Sequence, residues 1–285
     1  MTDFAVLYKF HRLDALSLKR LRRLVSMNPE LIFVPCFGVR QFLYIPLVRD
    51  FQKRYWTNVN KFALKSSHIF RLSSAINRKL GTFSCRSELE KLRAVLERNG
   101  LSLYCDFTPM AYGLNADRAI LQWFDTAGRM LPFDYLVYYE YDMYATKKIR
   151  SIYGEYVQHD AAFVLYERAA SDWFYYSNPP GARRLTLKWL KRRGLDPVLY
   201  RSLFAGNMIS RKALEALVHL KDLPYCHCEM RMPTVLTALG FKCGRLDFPM
   251  VRYRPPISRN EIENRTDAGI FHPVYEHITE GNSPA

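Results

Sequence analysis

Short apolar runs alternate with amphipathic helical stretches along most of this sequence, and that alternation leaves few folds open. Residues 4–10 read as a strand. Asp14 is placed to cap a helix carrying Leu16, Leu21 and Leu24, which ends near Asn28-Pro29. Residues 31–34 form a second strand, stopped by Pro35 and Gly38. A helix over 87–98 ends at Asn99-Gly100, and 101–105 follows as a strand. Asn115 or Asp117 starts a helix through Trp123 and Phe124 that ends near Gly128. Stretches 135–139 and 161–165 read as strands, 211–220 and 230–239 as helices, and 241–248 as a late strand. This order argues for an α/β sheet with parallel neighbours and crossover helices. Ligands in such sheets sit beyond the C-terminal ends of the strands, so the residues just after each strand are the candidates for function.

The chain has 285 residues, enough for one large domain with a substantial core. No linker, repeat or low-complexity tract marks a cut. A single domain over 1–280 with a mixed basic and aromatic insert at about 40–85, followed by a disordered tail at 281–285, is the simplest organisation. The formal charge is +15, and nineteen Lys and Arg against seven Asp and Glu stand in the first hundred residues. A one-sided basic surface attracts nucleic acid, an anionic membrane face or phosphorylated substrates; a solubilising face is the plain alternative. No stretch reaches the ~20 apolar residues of a bilayer span. The first residues lack the pattern of a signal peptide, so the expected compartment is the cytoplasm. Cys36, Cys85, Cys105 and Cys243 stand singly, as reduced core thiols do. Cys226-His227-Cys228 is the one cluster, without the second ligand pair that a zinc site needs.

Glu140 and Asp142 follow directly on the apolar run 135–139. Residues i and i+2 of an extended segment point to the same side, so two carboxylates converge at a strand end. Such a pair repels itself unless a cation or hydrogen bonds offset the repulsion. Mg²⁺ or Mn²⁺ bridging to a diphosphate would do so, since both take carboxylate and phosphate oxygens. Solvated acidic pairs at strand ends are also common.

The stretch from the helix at 117–130 through Phe133-Asp134 to Glu140-Tyr141-Asp142 resembles the approach to the DxD motif of GT-A glycosyltransferases, with Glu in the first position. Three later elements follow in that superfamily's order. Residues 203–211, with Gly206 and Asn207, are similar to the Gly-containing loop that flanks the donor sugar; otherwise they make a turn before a helix capped by Ser210. Glu229, ahead of Pro233-Thr234, resembles the acidic helix start that meets the acceptor hydroxyl. His272, in Gly269-Ile270-Phe271-His272-Pro273, resembles the C-terminal metal ligand. The resemblance implies a GT-A, Rossmann-like mixed sheet, mostly parallel, with helices on both faces. It implies a nucleotide-binding half over 1–130 and a metal and acceptor half over 131–280. Asp142 and His272 would hold Mn²⁺ or Mg²⁺, Glu140 would reach metal through water or the sugar or ribose hydroxyls, and Glu229, the catalytic candidate, would be the general base if the reaction inverts the anomeric centre.

By the same resemblance the first strand and its loop meet the nucleotide. Tyr8, Lys9 and Arg12 could stack on a base and pair with phosphate, and Asp106 and Asn115 could accept hydrogen bonds from base or ribose. The function implied is hexosyl transfer from a nucleotide sugar, a UDP-sugar first, to a glycan or lipid-linked acceptor, as in polysaccharide biosynthesis. Lys19, Arg20, Arg22 and Arg23 on the helix 14–27, with the basic and aromatic residues of 40–65, suit an anionic membrane surface and a peripheral place at its inner face. Three other readings stand beside this one. A nucleic-acid-binding protein explains the charge but not the acidic set. A nucleotidyltransferase would carry a Gly-rich phosphate loop, and residues 8–12 hold no Gly. The third is a catalytically inactive GT-A-like scaffold.

Overall fold

The computed structural model describes residues 2–11, 14–38, 75, 78, 86–106, 108, 115–177, 181–220, 222–265 and 267–275. The first half holds β1 (Phe4–Phe10), α1 (Ala15–Met27), β2 (Ile32–Gly38), α2 (Arg86–Glu97), β3 (Tyr104–Asp106), α3 (Ala116–Thr126) and β4 (Tyr135–Glu140). The second holds β5 (Tyr144–Ala145), α4 (Ile149–Tyr153), β6 (Ala161–Arg168), α5 (Ala182–Arg192), β7 (Tyr200–Ser210), α6 (Arg211–His219), α7 (Cys228–Ala238), β8 (Cys243–Leu246), α8 (Arg259–Asn264) and β9 (Ile270–Phe271). Seven strands form one mixed sheet in the order β3-β2-β1-β4-β7-β6-β8, and β5 pairs with β9 in a small second sheet. The contacts β1–β2, β1–β4, β2–β3 and β6–β8 are parallel; β7 runs against both β4 and β6. The α/β class and the mostly parallel, mixed sheet are as expected. No helix among the described residues is long and apolar enough to cross a membrane.

β1 explains how the sheet is covered. All seven of its residues are buried, as in a central strand packed on both faces. Phe4, Val6, Tyr8 and Phe10 enter one core with Leu21 and Leu24 of α1, whereas Ala5 and Leu7 enter a second core with Ile120 and Phe124 of α3. β4 divides likewise, Val137 and Tyr139 to the first core, Leu136 and Tyr138 to the second. The period of two thus fixes which side chains can reach a ligand. α1 is capped by Asp14, whose carboxylate accepts from Ser17 N–H at 2.8 Å.

Two local expectations fail for identifiable reasons. β2 runs past the expected stop, through Pro35 to Gly38. β3 joins it only from Cys36 onward, so at Pro35 the strand is bordered by β1 alone and the missing N–H costs little. Gly206-Asn207 is not a turn at a strand end. It lies inside the eleven-residue β7, where β7 bulges away from β6: Ala162 pairs with Met208 but Val164 with Leu203. Gly206 takes φ +84°, and Asn207 Oδ1 accepts from Val164 N–H at 2.9 Å to fill the gap.

Gly206→Ala is expected to lower stability by about 1–2 kcal/mol, the cost of a left-handed residue with a side chain. A Cβ there would also stand 3.2 Å from Met143 Cε. Urea denaturation checks this, and an unchanged midpoint would contradict the bulge.

Candidate active site

The C-terminal ends of β1 and β4 lie side by side, Lys9 in register with Glu140. Beyond them opens a cleft of about 300 Å³ on the α3 side of the sheet, at the lower end of the ~300–1,000 Å³ of small-molecule sites. Lys9, Glu140, Asp142, Glu229 and His272 all line it, with Tyr175, Phe204, His227 and Tyr253. Residues from seven separate chain segments therefore meet where the sheet topology places ligands.

Glu140 ends β4, and a tight turn, Met143 N–H to Glu140 O at 2.9 Å, brings Asp142 back beside it. The strand and turn are pinned from outside. Val274 N–H donates to Asp142 O at 2.8 Å, and buried Arg20 of α1 donates to Val274 O at 2.7 Å and to Tyr141 O at 3.4 Å. His272 follows β9. With its proton on Nδ1 it donates to Arg252 O at 3.1 Å, which turns Nε2 toward Asp142 Oδ1 (3.6 Å) and Glu140 Oε2 (3.7 Å). One ligand atom from each of the three lies within 4.8 Å of the others. A metal-binding imidazole commonly has its other nitrogen held by a backbone carbonyl in this way.

The electrostatics fit a cation. Asp142 Oδ1 is buried without a hydrogen-bond partner, a costly state for a carboxylate. Burial, then the charge of Glu140, push its pKa from 3.8 to about 6, and His272 only partly offsets them. Burial pulls His272 down, but the pairing with Glu140 and the charge of Asp142 prevail and hold it above its ordinary value. Two carboxylates and an imidazole suit Mn²⁺; Mg²⁺ prefers oxygen throughout.

Glu229 lines the same cleft from the start of α7. Its Oε2 accepts from the Tyr253 hydroxyl at 2.6 Å and its Oε1 from Phe204 N–H at 3.2 Å. Burial outweighs these bonds and raises its pKa from 4.5 to about 8. His227 caps the helix, accepting from Glu229 N–H on Nδ1 at 3.2 Å, and its ring stacks on Tyr175 with centroids 3.7 Å apart. Burial, then Arg231, drive His227 down to about 3, so it is neutral. Burial likewise raises Cys226 to about 11 and Cys228 well above its ordinary value, which keeps both as thiols.

α7 is buried all round from Cys228 to Leu236, although it carries both Glu229 and Arg231. Arg231 meets Asp117 of α3 through Nε and Nη2, each at 2.6 Å, Asn115 Oδ1 at 3.0 Å, and the carbonyls of Cys226 and Pro224 at 2.7 and 3.4 Å. The sequence does not single out Arg231, Tyr175 or Tyr253, and it offers Asp117 only as a helix start and His227 only within a Cys-His-Cys cluster. A charge inside the apolar run 230–236 was the available signal, because a buried Arg requires an acid.

The structure gathers Asp142, Glu140, His272 and Glu229 in one cleft, but places several donor candidates elsewhere. Tyr8 falls on the α1 side of β1, fully buried, with its hydroxyl on Ser17 O at 3.1 Å and its ring on Tyr139; it has no face for a nucleobase. Lys9 lines the cleft, but its ammonium is buried against Asp106. Asp106 is fully engaged by Lys9 and by Thr108 N–H at 2.9 Å, not open to a ribose. Asn115 serves Arg231. Gly206 and Asn207 serve the bulge; Leu203, Phe204 and Ala205, just before them, line the cleft instead. Arg20 is buried beneath the site, and Arg23 donates to Ala145 O and covers the Tyr144 ring, so these two do not form an outward basic face. Arg12 and, apart from Ala75 and Arg78, the insert 40–85 lie outside the described residues.

The raised Asp142 pKa sets the sign of a stability test. Between about pH 4 and 6 the unfolded chain loses a proton that the folded chain keeps, so metal-free stability falls across that window and the cost is complete above it. His272, held above its ordinary value, loses its contribution as pH rises further. Protons compete with a cation for both groups. Mn²⁺ should therefore raise the Tm more at pH 7.5 than at pH 5.5. Asp142→Asn should abolish that shift while raising the metal-free Tm at pH 7.5, as differential scanning fluorimetry would show.

No protein-family model matches the sequence, and no curated protein does. Among solved structures, mouse xyloside xylosyltransferase 1 in its apo form aligns over 95% of this chain and 96% of its own, at 10% identity and a TM-score of 0.34. A Bacillus anthracis protein assigned as a glucose-1-phosphate thymidylyltransferase, in complex with sucrose, aligns over 78% of this chain and 76% of its own, at 10% identity and a TM-score of 0.32. Similarities at these TM-scores and identities say nothing of substrate or chemistry, which rest on the side chains in the cleft.

Proposed function

We propose that this protein is a metal-dependent glycosyltransferase that moves a sugar from a nucleoside-diphosphate donor to a hydroxyl acceptor. The observation that carries the reading is the shared cleft: ligand atoms of Asp142, His272 and Glu140 lie within 4.8 Å of one another, and buried Glu229 lines the same cleft. A cation-binding set alone would fit many proteins. A cation-binding set facing a carboxyl whose pKa lies near neutrality fits displacement of a diphosphate by an alcohol.

Asp142, His272 and Glu140 would hold a divalent cation, whose charge would offset that of the leaving diphosphate. The chain's own groups do the rest. Arg20 holds the backbone at Tyr141 and Val274, on either side of the Asp142 turn, so the ligands are set before the donor arrives. Tyr253 and Phe204 N–H fix the Glu229 carboxyl with one bond to each oxygen. Glu229 takes the acceptor proton as the acceptor oxygen bonds to the anomeric carbon. The bond from that carbon to the phosphate oxygen breaks, and its electrons leave with the nucleoside diphosphate. A single displacement of this kind inverts the anomeric centre.

A base works best when its pKa lies near the working pH, and Glu229 at about 8 meets that condition. The rate should climb with pH up to about 8 and then level. Glu229→Gln should lower kcat about 10²–10⁴-fold and abolish the climb. The substitution should not weaken the fold. The unfolded chain loses the Glu229 proton near 4.5 and the folded chain near 8, so burial costs stability as pH rises between those values. An uncharged amide removes that cost, and the variant should melt higher than the parent at pH 8. The deciding experiment offers UDP-, GDP-, CMP- and dTDP-sugars with and without Mn²⁺ and follows donor consumption and Tm. Metal-dependent donor binding lost in Asp142→Ala supports the reading. Absence of any nucleotide-sugar effect in the Mn²⁺-loaded protein sinks it.

A further inference from the structure

Residues 101–285 are nearly neutral overall, 23 Lys and Arg against 20 Asp and Glu, yet their charges are not mixed. Residues 182–193 hold six Lys and Arg and no Asp or Glu. Every exposed residue of that stretch, Arg183, Arg184, Lys188, Lys191, Arg192 and Arg193, is basic, whereas Ala182, Thr186, Trp189 and Leu190 are buried. The outward face of α5 is therefore cationic along its whole length. Arg193 has an acidic partner, Asp222. Among the described residues none of the other five has one. Ordinary protein surfaces intersperse both signs. Arg183 and Arg184 also occupy the first turn, where the helix dipole disfavours positive charge. The dipole favours Lys191 and Arg192 in the last turn, but not the basic pair in the first.

An aromatic segment continues this face. Arg183 Nε donates to the Tyr176 hydroxyl at 2.9 Å and the guanidinium lies 5.5 Å from that ring. Tyr176 closes a 3-10 turn whose first residue, Phe174, is 68% exposed. Tyr175, between them, lines the cleft and stacks on His227.

We infer that the exposed face of α5, together with Phe174, is a docking surface for an anionic lipid bilayer. Cations on a helix face pair with lipid phosphates and carboxylates, and an exposed phenyl beside them enters just below the headgroups. Binding of single-stranded RNA calls instead for open rings on which bases stack within a basic groove. Here Tyr175 and Tyr176 are already covered, by His227 and Arg183, and only the Phe174 ring stands out. The docking does not rest on the transferase reading. If both hold, the Tyr175 wall of the cleft faces the bilayer, which gives an acceptor carried in the membrane direct access.

The test is flotation of the full chain with phosphatidylcholine vesicles, with and without phosphatidylserine. The wild type should float with the anionic vesicles only, and binding should fall as salt rises. Arg184→Glu/Lys188→Glu/Lys191→Glu should reduce binding at least tenfold while its Mn²⁺-dependent Tm shift stays as in the wild type. The neutral variant Arg184→Gln/Lys188→Gln/Lys191→Gln should show an intermediate loss, and it decides the matter if charge reversal impairs folding. Phe174→Ser should weaken binding several-fold and most visibly at high salt. Equal binding by wild type and both charge variants overturns the inference. So does equal binding to neutral vesicles, and so does displacement by single-stranded RNA at equal phosphate. None of these outcomes touches the nucleotide-sugar experiment, so the two readings fail separately.

Discussion

Arg231 is surrounded by protein, and the five N–H groups of its guanidinium are met by Asp117, Asn115 and the carbonyls of Cys226 and Pro224. Removing such a group from water is costly, and only a complete set of partners offsets it. The partners come from α3 and from the segment leading into α7, so the ion pair fixes one against the other. Glu229 sits two residues before Arg231 and inherits its place from that joint. The cleft thus depends on a pair of charges that never touches a ligand. Loss of Asp117 alone would leave a bare buried cation, a defect of about 3–5 kcal/mol.

Around that joint the site is assembled from groups that are uncomfortable without a ligand. Asp142 and Glu140 crowd one another, and Asp142 keeps an unpartnered oxygen under cover. Glu229 is forced toward its neutral form in an apolar wall. Paired carboxyls with displaced pKa values mark functional sites because stability alone would not select them. The contrast lies close by. The Lys9–Asp106 pair is equally buried but mutually satisfied, with Cys36 Sγ and Thr108 N–H at its flanks, and it reads as scaffold.

The residues legible from sequence were those at strand and helix ends. Glu140 and Asp142 close an apolar strand, Glu229 opens a helix and His272 follows a short apolar run, so topology alone sends them to one rim. The residues misjudged were those whose direction depends on a period or a partner. Tyr8 and Lys9 are neighbours in a strand buried along its whole length, and only the pairing with α1 shows that Tyr8 faces the far core. Gly206 and Asn207 looked like a loop because a bulge inside a strand has the composition of a turn. Asp106 and Asn115 are strand-end and helix-start residues of the right type, but each is consumed by a cation distant in sequence. α5 went unread because its outward face is wholly basic and hides a buried stripe of Ala182, Thr186, Trp189 and Leu190.

Arg252 and Tyr253 are consecutive, yet they support different groups of the cleft. The carbonyl of the first receives the His272 imidazole, and the phenol of the second reaches Glu229. A single peptide unit is therefore the hinge pin between the cation wall and the proton acceptor. Displacement of that dipeptide would loosen both at once, whereas a substitution at Asp142 or at Glu229 reaches only one.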